Sequence, residues 1–263
     1  MQSDLLPDVI TIDGPAASGK STVGYMLAQR LGYLFLDTGS MYRAVTLAAL
    51  RRGISPDDEA AVAAVAHDIE LDFASPAEET DGRHCTVLLD GEDVTWVVRR
   101  PDVDAAVSQV STYPAVRAEM VRRQRAISRR GHIVMVGRDI GTVVMPDAPL
   151  KLYITASAQE RARRRLLDRQ RQGLPADYDA ILANVIHRDR TDSNRRHSPL
   201  RPAHDAVIID TTDRPAEVVL REVLALLQST IAGVVEQGSG GAGEPGNQGV
   251  GQSVVHASGE ETI

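Results

Sequence analysis

The stretch ITIDGPAASGKSTV, residues 10–23, determines the fold that we expect for this chain. It contains the P-loop pattern G-x-x-x-x-G-K-[ST], matched here by Gly14, Gly19, Lys20 and Ser21. A β-branched run, VITID, precedes the glycines, and KSTVGYMLAQRL after them has the apolar spacing of a helix. Strand, glycine loop and helix is the order that a phosphate-binding loop requires.

The residues of this loop have separate tasks in binding a polyphosphate. Glycines let the backbone turn tightly, so that N–H groups point at phosphate oxygens, and the helix N-terminus adds its positive dipole end. Lys20 can then reach the β- and γ-phosphates, and the Ser21 hydroxyl is the predicted Mg²⁺ ligand. The alternative is a glycine-rich turn with a fortuitous lysine. The predicted ATP-binding residues of the loop are Gly14, Pro15, Ala16, Ala17, Ser18, Gly19, Lys20, Ser21 and Thr22.

Length and composition indicate one globular domain with an insertion, since the chain has 263 residues of which 43% are hydrophobic. No apolar run approaches the roughly 18 residues of a membrane span, and the start MQSDLLPDV lacks the basic segment of a signal peptide. We therefore expect a cytoplasmic protein that does not bind membranes. The net charge of −7 argues against nucleic acid as a partner. No long apolar stripe is left for a second subunit, so we expect a monomer.

Short, mostly apolar segments alternate with helical ones along the chain. Apolar runs of this kind are typical of strands buried on both faces of a parallel sheet. The alternation predicts an α/β fold with three layers and a five-stranded parallel sheet. The predicted strands are 9–13, 33–37, 132–137, 150–155 and 206–210, and the predicted helices after the P-loop helix are about 40–52, 114–130, 157–171, 178–190 and 215–227.

Two regions depart from this alternation. Residues 69–95 contain two Asp-Gly pairs between short strand-like segments, which predicts antiparallel hairpins inserted into the α/β framework. Beyond about Ser229 the sequence becomes glycine-rich, and we expect a disordered tail over 229–263. The predicted folded domain is thus 1–228, with an insertion at about 38–113 and a lid at about 157–190.

Arginine is the main cation of the chain, because only Lys20 and Lys151 of the 29 basic residues are lysines. Between Arg161 and Arg196 there are ten arginines and five aspartates, a local excess that predicts an anion site. Solvated helix faces are the alternative for many of these arginines. On a helix Arg161, Arg164 and Arg165 share one side, and Gly173 and Pro175 interrupt the segment, as in a lid that closes over phosphates.

The P-loop alone does not distinguish a kinase from a GTPase, a motor or a nucleotide sensor. The sequence lacks an Asn-Lys-x-Asp motif for guanine, and HIVMVGRDIG ends in Gly-Arg-Asp where motor ATPases carry an Asp-Glu pair. Both observations favour a small-molecule kinase. Arg43 and Arg138 follow the second and third strands, and each has the chemistry to hold an acceptor phosphate. On spacing alone each is equally a structural ion pair, with Asp37 and Asp139 as the respective local partners.

Several segments together resemble the bacterial cytidylate kinases, which phosphorylate CMP and dCMP. They are ITIDGPAASGKST, LDTGSMYR, VSQVSTYPAVRAEMVRRQR, GRDIGTVVMPDAPLKLYI, ERARRR and RDRTDSNR, which lie in the family's order between about Val9 and Leu227. The insertion also falls where this family expands its monophosphate-binding part. The resemblance implies transfer of the γ-phosphoryl group of ATP to CMP or dCMP, with Mg²⁺ as cofactor and these nucleotides as the small-molecule partners.

The resemblance also implies roles for individual residues. Lys20, Arg164 and Arg188 are expected to be catalytic, and Arg161 and Arg165 to contact ATP. Arg117 with Asp139 is similar to the family's base-reading pair, and Thr38 stands where many relatives have serine. The residues implied for CMP binding are Thr38, Arg43, Ser108, Arg117, Arg138, Asp139, Arg188, Asp192 and Arg195.

Each implied residue also has an ordinary structural interpretation. Ser108 is a candidate small helix residue, Arg117 a solvated arginine, and Asp192 a helix-terminal charge. Two other functions stay open at this point: a P-loop kinase with a different small acceptor, such as shikimate, and a non-catalytic nucleotide-binding regulator.

Overall fold

The computed structural model describes residues 6–75, 81–171, 173–196 and 198–239, with side chains described up to Ser229. Its strands are β1 (Val9–Asp13), β2 (Leu34–Asp37), β3 (Leu71–Ala74), β4 (Thr86–Leu89), β5 (Glu92–Asp93), β6 (Ile133–Gly137), β7 (Leu150–Thr155) and β8 (Val207–Asp210). Its α-helices are α1 (Lys20–Leu31), α2 (Thr38–Arg51), α3 (Glu59–Asp68), α4 (Pro101–Val110), α5 (Pro114–Ser128), α6 (Ala158–Arg171), α7 (Tyr178–Ser193) and α8 (Ala216–Ser239).

The central sheet is parallel and has the strand order β2-β6-β1-β7-β8, which confirms the predicted five-stranded α/β fold. Every residue of β1 and β6 is buried, as expected for strands covered by helices on both faces. β2, β6 and β8 each begin one residue later than predicted. For β2 the reason is that Gly32 caps α1 in the left-handed conformation, and the Tyr33 N–H is used by the carbonyl of Ala28.

The register of the sheet brings the carboxyl ends of its strands together. Asp13 at the end of β1 lies opposite Gly137 on β6 and Tyr153 on β7. Asp37 at the end of β2 lies opposite Val136. The loops that follow these strands therefore start from one edge of the sheet, which is where open α/β sheets bind their ligands.

The insertion contains the predicted antiparallel hairpins. β3 pairs with β4 and β4 with β5, and the second turn is made by Asp90 and Gly91, both with positive φ. The other Asp-Gly pair, Asp81-Gly82, lies in the connection between β3 and β4, part of which falls outside the described residues. The helices α3 and α4 of this region were not predicted. Their buried valines join those of the central sheet in one apolar core.

Two further regions bear on the predicted domain limits. The α6–α7 hairpin has a small apolar core of its own, made by Ala162, Ile181 and Val185, and it bends after Gly173, whose φ is 68°. The helix α8 continues to Ser239, so the prediction of disorder from residue 229 is wrong for 229–239. The segment STIAGVVEQ contains no proline and only one glycine, and it still permits helical backbone. The rest of the predicted tail, 240–263, lies outside the described residues.

None of the helices within the described ranges combines the length and hydropathy that crossing a membrane needs.

Candidate active site

The P-loop connects β1 to α1 along a path that only glycine permits at its first position. A Cβ atom on Gly14 would lie 2.0 Å from the carbonyl oxygen of Ile154 on β7, so no larger residue fits there. Ala17 and Gly19 both have positive φ, which turns the loop around a central space. Gly19 is also the N-cap of α1, and no side chain caps this helix end. The free N–H groups of the first turn are therefore available to an anion.

Lys20 is the cation of this loop, and it is 8% exposed. Its Nζ donates to the carbonyl oxygen of Pro15 at 3.1 Å, which folds the side chain back over its own loop. Burial and the charges of Arg138 and Arg188 lower the pKa of Lys20 to about 8, although Asp37 and Asp13 act in the opposite direction. The charge of Lys20 thus interacts with those of Arg138 and Arg188, two of the predicted acceptor-site arginines.

Ser21 and Asp37 together offer oxygen ligands for a cation. The Ser21 hydroxyl donates to one carboxylate oxygen of Asp37 at 2.8 Å, and the other oxygen accepts from the N–H of Gly39 at 3.0 Å. Mg²⁺ prefers oxygen ligands and is usually held by one or two protein groups together with phosphate oxygens. The pair therefore fits Mg²⁺ beside a bound polyphosphate. The sequence analysis named Ser21 as the metal residue but not Asp37, which caps α2.

Asp13 is a buried carboxylate that the sequence analysis did not select. Its two oxygens accept from the backbone N–H groups of Ile140 and Gly141, both at 2.8 Å. Burial raises its pKa to about 6 despite these two hydrogen bonds, and the neighbouring charge of Asp139 adds to the shift. Asp13 thereby ties the start of the P-loop to the loop after β6, which carries Arg138.

On the opposite side of the cleft, Asp192 at the end of α7 holds two arginines. One carboxylate oxygen accepts from Arg138 Nε, and the other lies 2.5 Å from Arg195 Nη2. Arg195 Nη2 also donates to the Ser111 hydroxyl at 3.2 Å, while its Nε is buried without a partner. Burial lowers the pKa of Arg195, and Asp192 opposes that effect. The unused Nε–H is a donor that an anion or a base carbonyl can take up.

Arg117 and Asp139, which the resemblance implied to be a base-reading pair, form a buried ion pair. Arg117 Nη2 donates to Asp139, its Nη1 donates to the carbonyl oxygen of Ser111 at 3.1 Å, and its guanidinium lies 5.6 Å from the centre of the Tyr42 ring. The interpretation of Arg117 as a solvated arginine is wrong, because the residue is 6% exposed. A fixed guanidinium beside a carboxylate presents donors and an acceptor in one plane, which suits the edge of a base.

Arg43 on α2 pairs with a carboxylate from the insertion. Its Nη2 lies 2.5 Å from Asp104 on α4, and its Nη1 donates to the carbonyl oxygen of Val98 at 3.3 Å. Asp37 is therefore not its ion-pair partner, because Asp37 is already used by Ser21 and Gly39. Likewise, Arg138 pairs with Asp192 and not with the neighbouring Asp139, which is held by Arg117. The two local partners that the sequence suggested are both wrong.

The three arginines predicted to share one side of the lid helix have different surroundings. Arg161 is 4% exposed and forms a bidentate ion pair with Asp189. It also donates to the Ala16 carbonyl oxygen of the P-loop at 3.3 Å. Arg164 donates to the Thr211 hydroxyl at 3.1 Å and its carbonyl at 2.6 Å. Arg165 donates to Asn184 at 2.9 Å. Thr211, whose hydroxyl in turn donates to the Ser18 carbonyl at 2.8 Å, was not selected from the sequence.

Arg188 on α7, one of the arginines predicted for the acceptor site, has no side-chain hydrogen bond or ion pair among the described residues. Burial and the charge of Arg138 lower its pKa to about 10, and Asp104 acts against that shift. A half-buried guanidinium without a partner is costly, so this side chain is a strong binding group for an anion.

The two hydroxyl residues predicted at the nucleoside differ in whether their hydroxyl groups are already used. The Thr38 hydroxyl already donates to the carbonyl oxygen of Val136 at 2.9 Å, and the residue is 3% exposed. The Ser108 side chain is half-buried on α4 and has no hydrogen bond among the described residues, while its carbonyl accepts from the Ser111 hydroxyl.

These features define a class. A parallel sheet with a P-loop at its carboxyl edge, an arginine-rich helical lid and a second arginine cluster across the cleft are the parts of a P-loop kinase.

Comparison with known proteins narrows this class to a family. Residues 10–229 match the family model described as cytidylate kinase. A cytidylate kinase of Chloroflexus aggregans is 51% identical over 204 residues, 78% of this chain and 86% of that protein. A cytidylate kinase of Roseiflexus castenholzii is 51% identical, and the match covers 83% of this chain and 93% of that protein. One of Limosilactobacillus reuteri is 46% identical, and the match covers 84% of this chain and 95% of that protein. The chain belongs to the cytidylate kinase family, which confirms the resemblance read from its motifs.

Proposed function

We propose that this protein transfers the γ-phosphoryl group of ATP to the phosphate of CMP or dCMP, giving ADP and CDP or dCDP. One observation carries the proposal within this chain: the buried carboxylate of Asp13, at the start of the P-loop, accepts hydrogen bonds from the N–H groups of Ile140 and Gly141 in the loop that carries Arg138. The donor loop and the acceptor loop therefore start side by side at the carboxyl edge of the sheet. That arrangement suits two phosphate groups placed end to end.

The chemistry needs charge neutralisation more than proton transfer. The attacking atom is an oxygen of the acceptor phosphate, which is ionised at neutral pH, so no general base has to remove a proton from it. The new P–O bond forms on that oxygen while the bond to the leaving ADP oxygen breaks. Lys20, Arg164 and Arg188 are the proposed catalytic cations, and fixed cations around the transferring group are the main source of rate in such reactions.

We propose that Ser21, supported by Asp37, holds Mg²⁺ together with ATP phosphates. The bound ion would neutralise charge on the β- and γ-phosphates. The remaining P-loop residues bind these phosphates, and Arg161 and Arg165 complete the ATP side from the lid. Arg161 supports this assignment through its contact with the Ala16 carbonyl. The described contact of Arg165 is with Asn184 on α7, the second helix of the lid.

For the acceptor, we propose that Arg117 and Asp139 read the cytosine edge and that Arg43, Arg138 and Arg195 hold the phosphate. Arg188 and Asp192 then lie at the pentose end, with Thr38 and Ser108 lining the nucleoside. The mutual ion pairs of this set support the assignment, because they fix guanidinium planes before a ligand arrives. The insertion at about 38–113 and the lid at about 157–190 are the proposed moving parts, which close to exclude water.

The protein is proposed to work as a cytoplasmic monomer with these small-molecule partners. Sedimentation of the full chain would detect any larger assembly.

The test is a panel of acceptors assayed by coupled ADP release: CMP, dCMP, UMP, AMP and shikimate, each with MgATP. We expect turnover with CMP and dCMP well above the rest. A matched Lys20→Ala variant should turn over at least about 100-fold more slowly, as when other transition-state charge donors are removed. No turnover with either cytidine nucleotide would refute the proposal. Tight ATP binding without CDP formation over hours would indicate a nucleotide-binding regulator instead.

A further inference from the structure

Asp104 is a carboxylate beside Arg43, among the arginines proposed for the acceptor side. The proposed transfer gives this carboxylate no task. It lies in the first turn of α4, and its Oδ1 is 2.5 Å from Arg43 Nη2. Arg188 and Arg165 from the two lid helices also act on it electrostatically. One guanidinium group thus contacts this carboxylate, and two more, on α6 and α7, help to stabilise its negative charge.

The charges around Asp104 keep it ionised. Burial opposes its ionisation, but Arg43, Arg188 and Arg165 together hold the pKa of its carboxyl below the usual range. In the ligand-free protein Asp104 thus neutralises part of a site that otherwise consists of cations. The same contact occupies one terminal nitrogen of Arg43, a residue proposed to grip the acceptor phosphate.

The surroundings of Asp104 differ from those of the other carboxylate in the cluster. Asp192 is 7% exposed at its side chain and holds two arginines, which makes it a fixed part of the site. The Asp104 side chain is 39% exposed and has one ion-pair partner. An exposed carboxylate with one partner can turn toward water at little cost, whereas a buried one with two partners cannot.

We propose that Asp104 is an internal counter-anion of the acceptor-phosphate site, which occupies Arg43 when no monophosphate is bound and competes with the incoming phosphate. The inference rests on the proposed function, since it assumes that Arg43 binds that phosphate. Competition lowers the affinity for every acceptor, and it does so most for those with little negative charge. Asp104 therefore sets how strongly the site prefers a fully ionised phosphate over weaker anions.

The experiment compares Asp104→Asn with a control on the same helix turn, Asp102→Asn. Asp102 also lies in the first turn of α4 and forms an ion pair, with Arg100 at 2.8 Å, but that pair is exposed to solvent. Both variants remove one negative charge from the same helix N-terminus, so effects of net charge and of the helix dipole cancel in the comparison.

We expect Asp104→Asn to lower the KM for CMP about three- to tenfold, while the KM for ATP and kcat stay within about twofold. Asp102→Asn should match wild type in all three. The difference between the two variants should shrink as salt is raised from about 0.05 to 0.5 M, because exposed charges are screened. Asp104→Ser serves as a second variant, and thermal unfolding of each variant confirms that it is folded.

Two outcomes overturn the inference. A higher KM for CMP in Asp104→Asn would mean that Asp104 positions Arg43 for the phosphate instead of competing with it. Values equal to those of Asp102→Asn would mean that it does neither. The measurement uses whichever monophosphate the enzyme phosphorylates best, so a preference other than CMP refutes the proposed substrate and leaves this test intact. If none is turned over, calorimetric titration with CMP, UMP and AMP replaces KM.

Discussion

Replacing Asp139 with asparagine should destabilise the protein by about 2–3 kcal/mol. Asp139 is 7% exposed and Arg117 is 6% exposed, so the pair is buried in solvent-free surroundings. Removing one partner of a buried ion pair typically costs about 3–5 kcal/mol, because the other charge stays buried without compensation. Asparagine keeps an acceptor oxygen, and the Ser111 carbonyl still accepts from Arg117, which places the cost at the low end. The change also removes the repulsion between the carboxylates of Asp139 and Asp13, which lowers the cost in stability further.

Urea unfolding of the full chain without nucleotides measures this cost, since the midpoint shifts while the slope stays constant. The double variant Arg117→Leu with Asp139→Asn should be less destabilised than the sum of the two single variants, because it leaves no buried charge. Two results would refute the view that the pair is a mutually dependent unit. One is a free energy of unfolding of Asp139→Asn within about 0.5 kcal/mol of wild type. The other is strict additivity of the two single-variant effects in the double variant.

Two further predictions concern the cleft. Arg138→Ala should raise the KM for CMP at least about tenfold and leave the KM for ATP nearly unchanged, since Arg138 pairs with Asp192 on the proposed acceptor side. Steady-state kinetics with each substrate varied in turn measures both constants. An equal rise in the two KM values would place Arg138 outside the acceptor site. Because Lys20 has a pKa of about 8 in the free protein, kcat/KM for ATP should fall above about pH 8 as the ammonium loses its proton. A Lys20→Arg variant should lack that alkaline decline, and a decline that persists in it would assign the effect to another group.

The strands and the P-loop could be predicted because their signals are local. A strand buried on both faces is a continuous apolar run, and a phosphate loop is a fixed spacing of glycines. The helices α3 and α4 were missed although each carries a signal. Asp58 caps α3 through the N–H of Ala61, and Pro101 occupies the first turn of α4. These signals lie beside strand-like hairpins. The apolar pattern there changes between the two-residue period of strands and the 3.6-residue period of helices, which makes short helices hard to recognise.

The sequence named the candidate acceptor-site arginines, but it did not indicate their ion-pair partners. Arg43 pairs with Asp104, which is 61 residues away, and Arg138 with Asp192, which is 54 residues away. The nearby Asp37 and Asp139 are taken by other groups. Which carboxylate meets which arginine depends on how α2, α4 and α7 pack, and no local spacing encodes that packing. The same applies to Asp13, whose partners are backbone groups 127 and 128 residues away.

The balance of charge on the acceptor side bears on the transfer itself. Five arginines of that side, Arg43, Arg117, Arg138, Arg188 and Arg195, lie with three aspartates, Asp104, Asp139 and Asp192, which leaves a surplus of two positive charges. The phosphate of CMP brings at most about two negative charges. In the proposed reaction this phosphate balances the surplus, so the charge on the γ-phosphoryl group of the donor, whose equatorial oxygens carry the charge of the transition state, is left to Lys20 and the arginines of α6. Because Arg117, Arg138 and Arg195 are fixed by ion pairs before either nucleotide arrives, these three need little reorganisation during the chemical step.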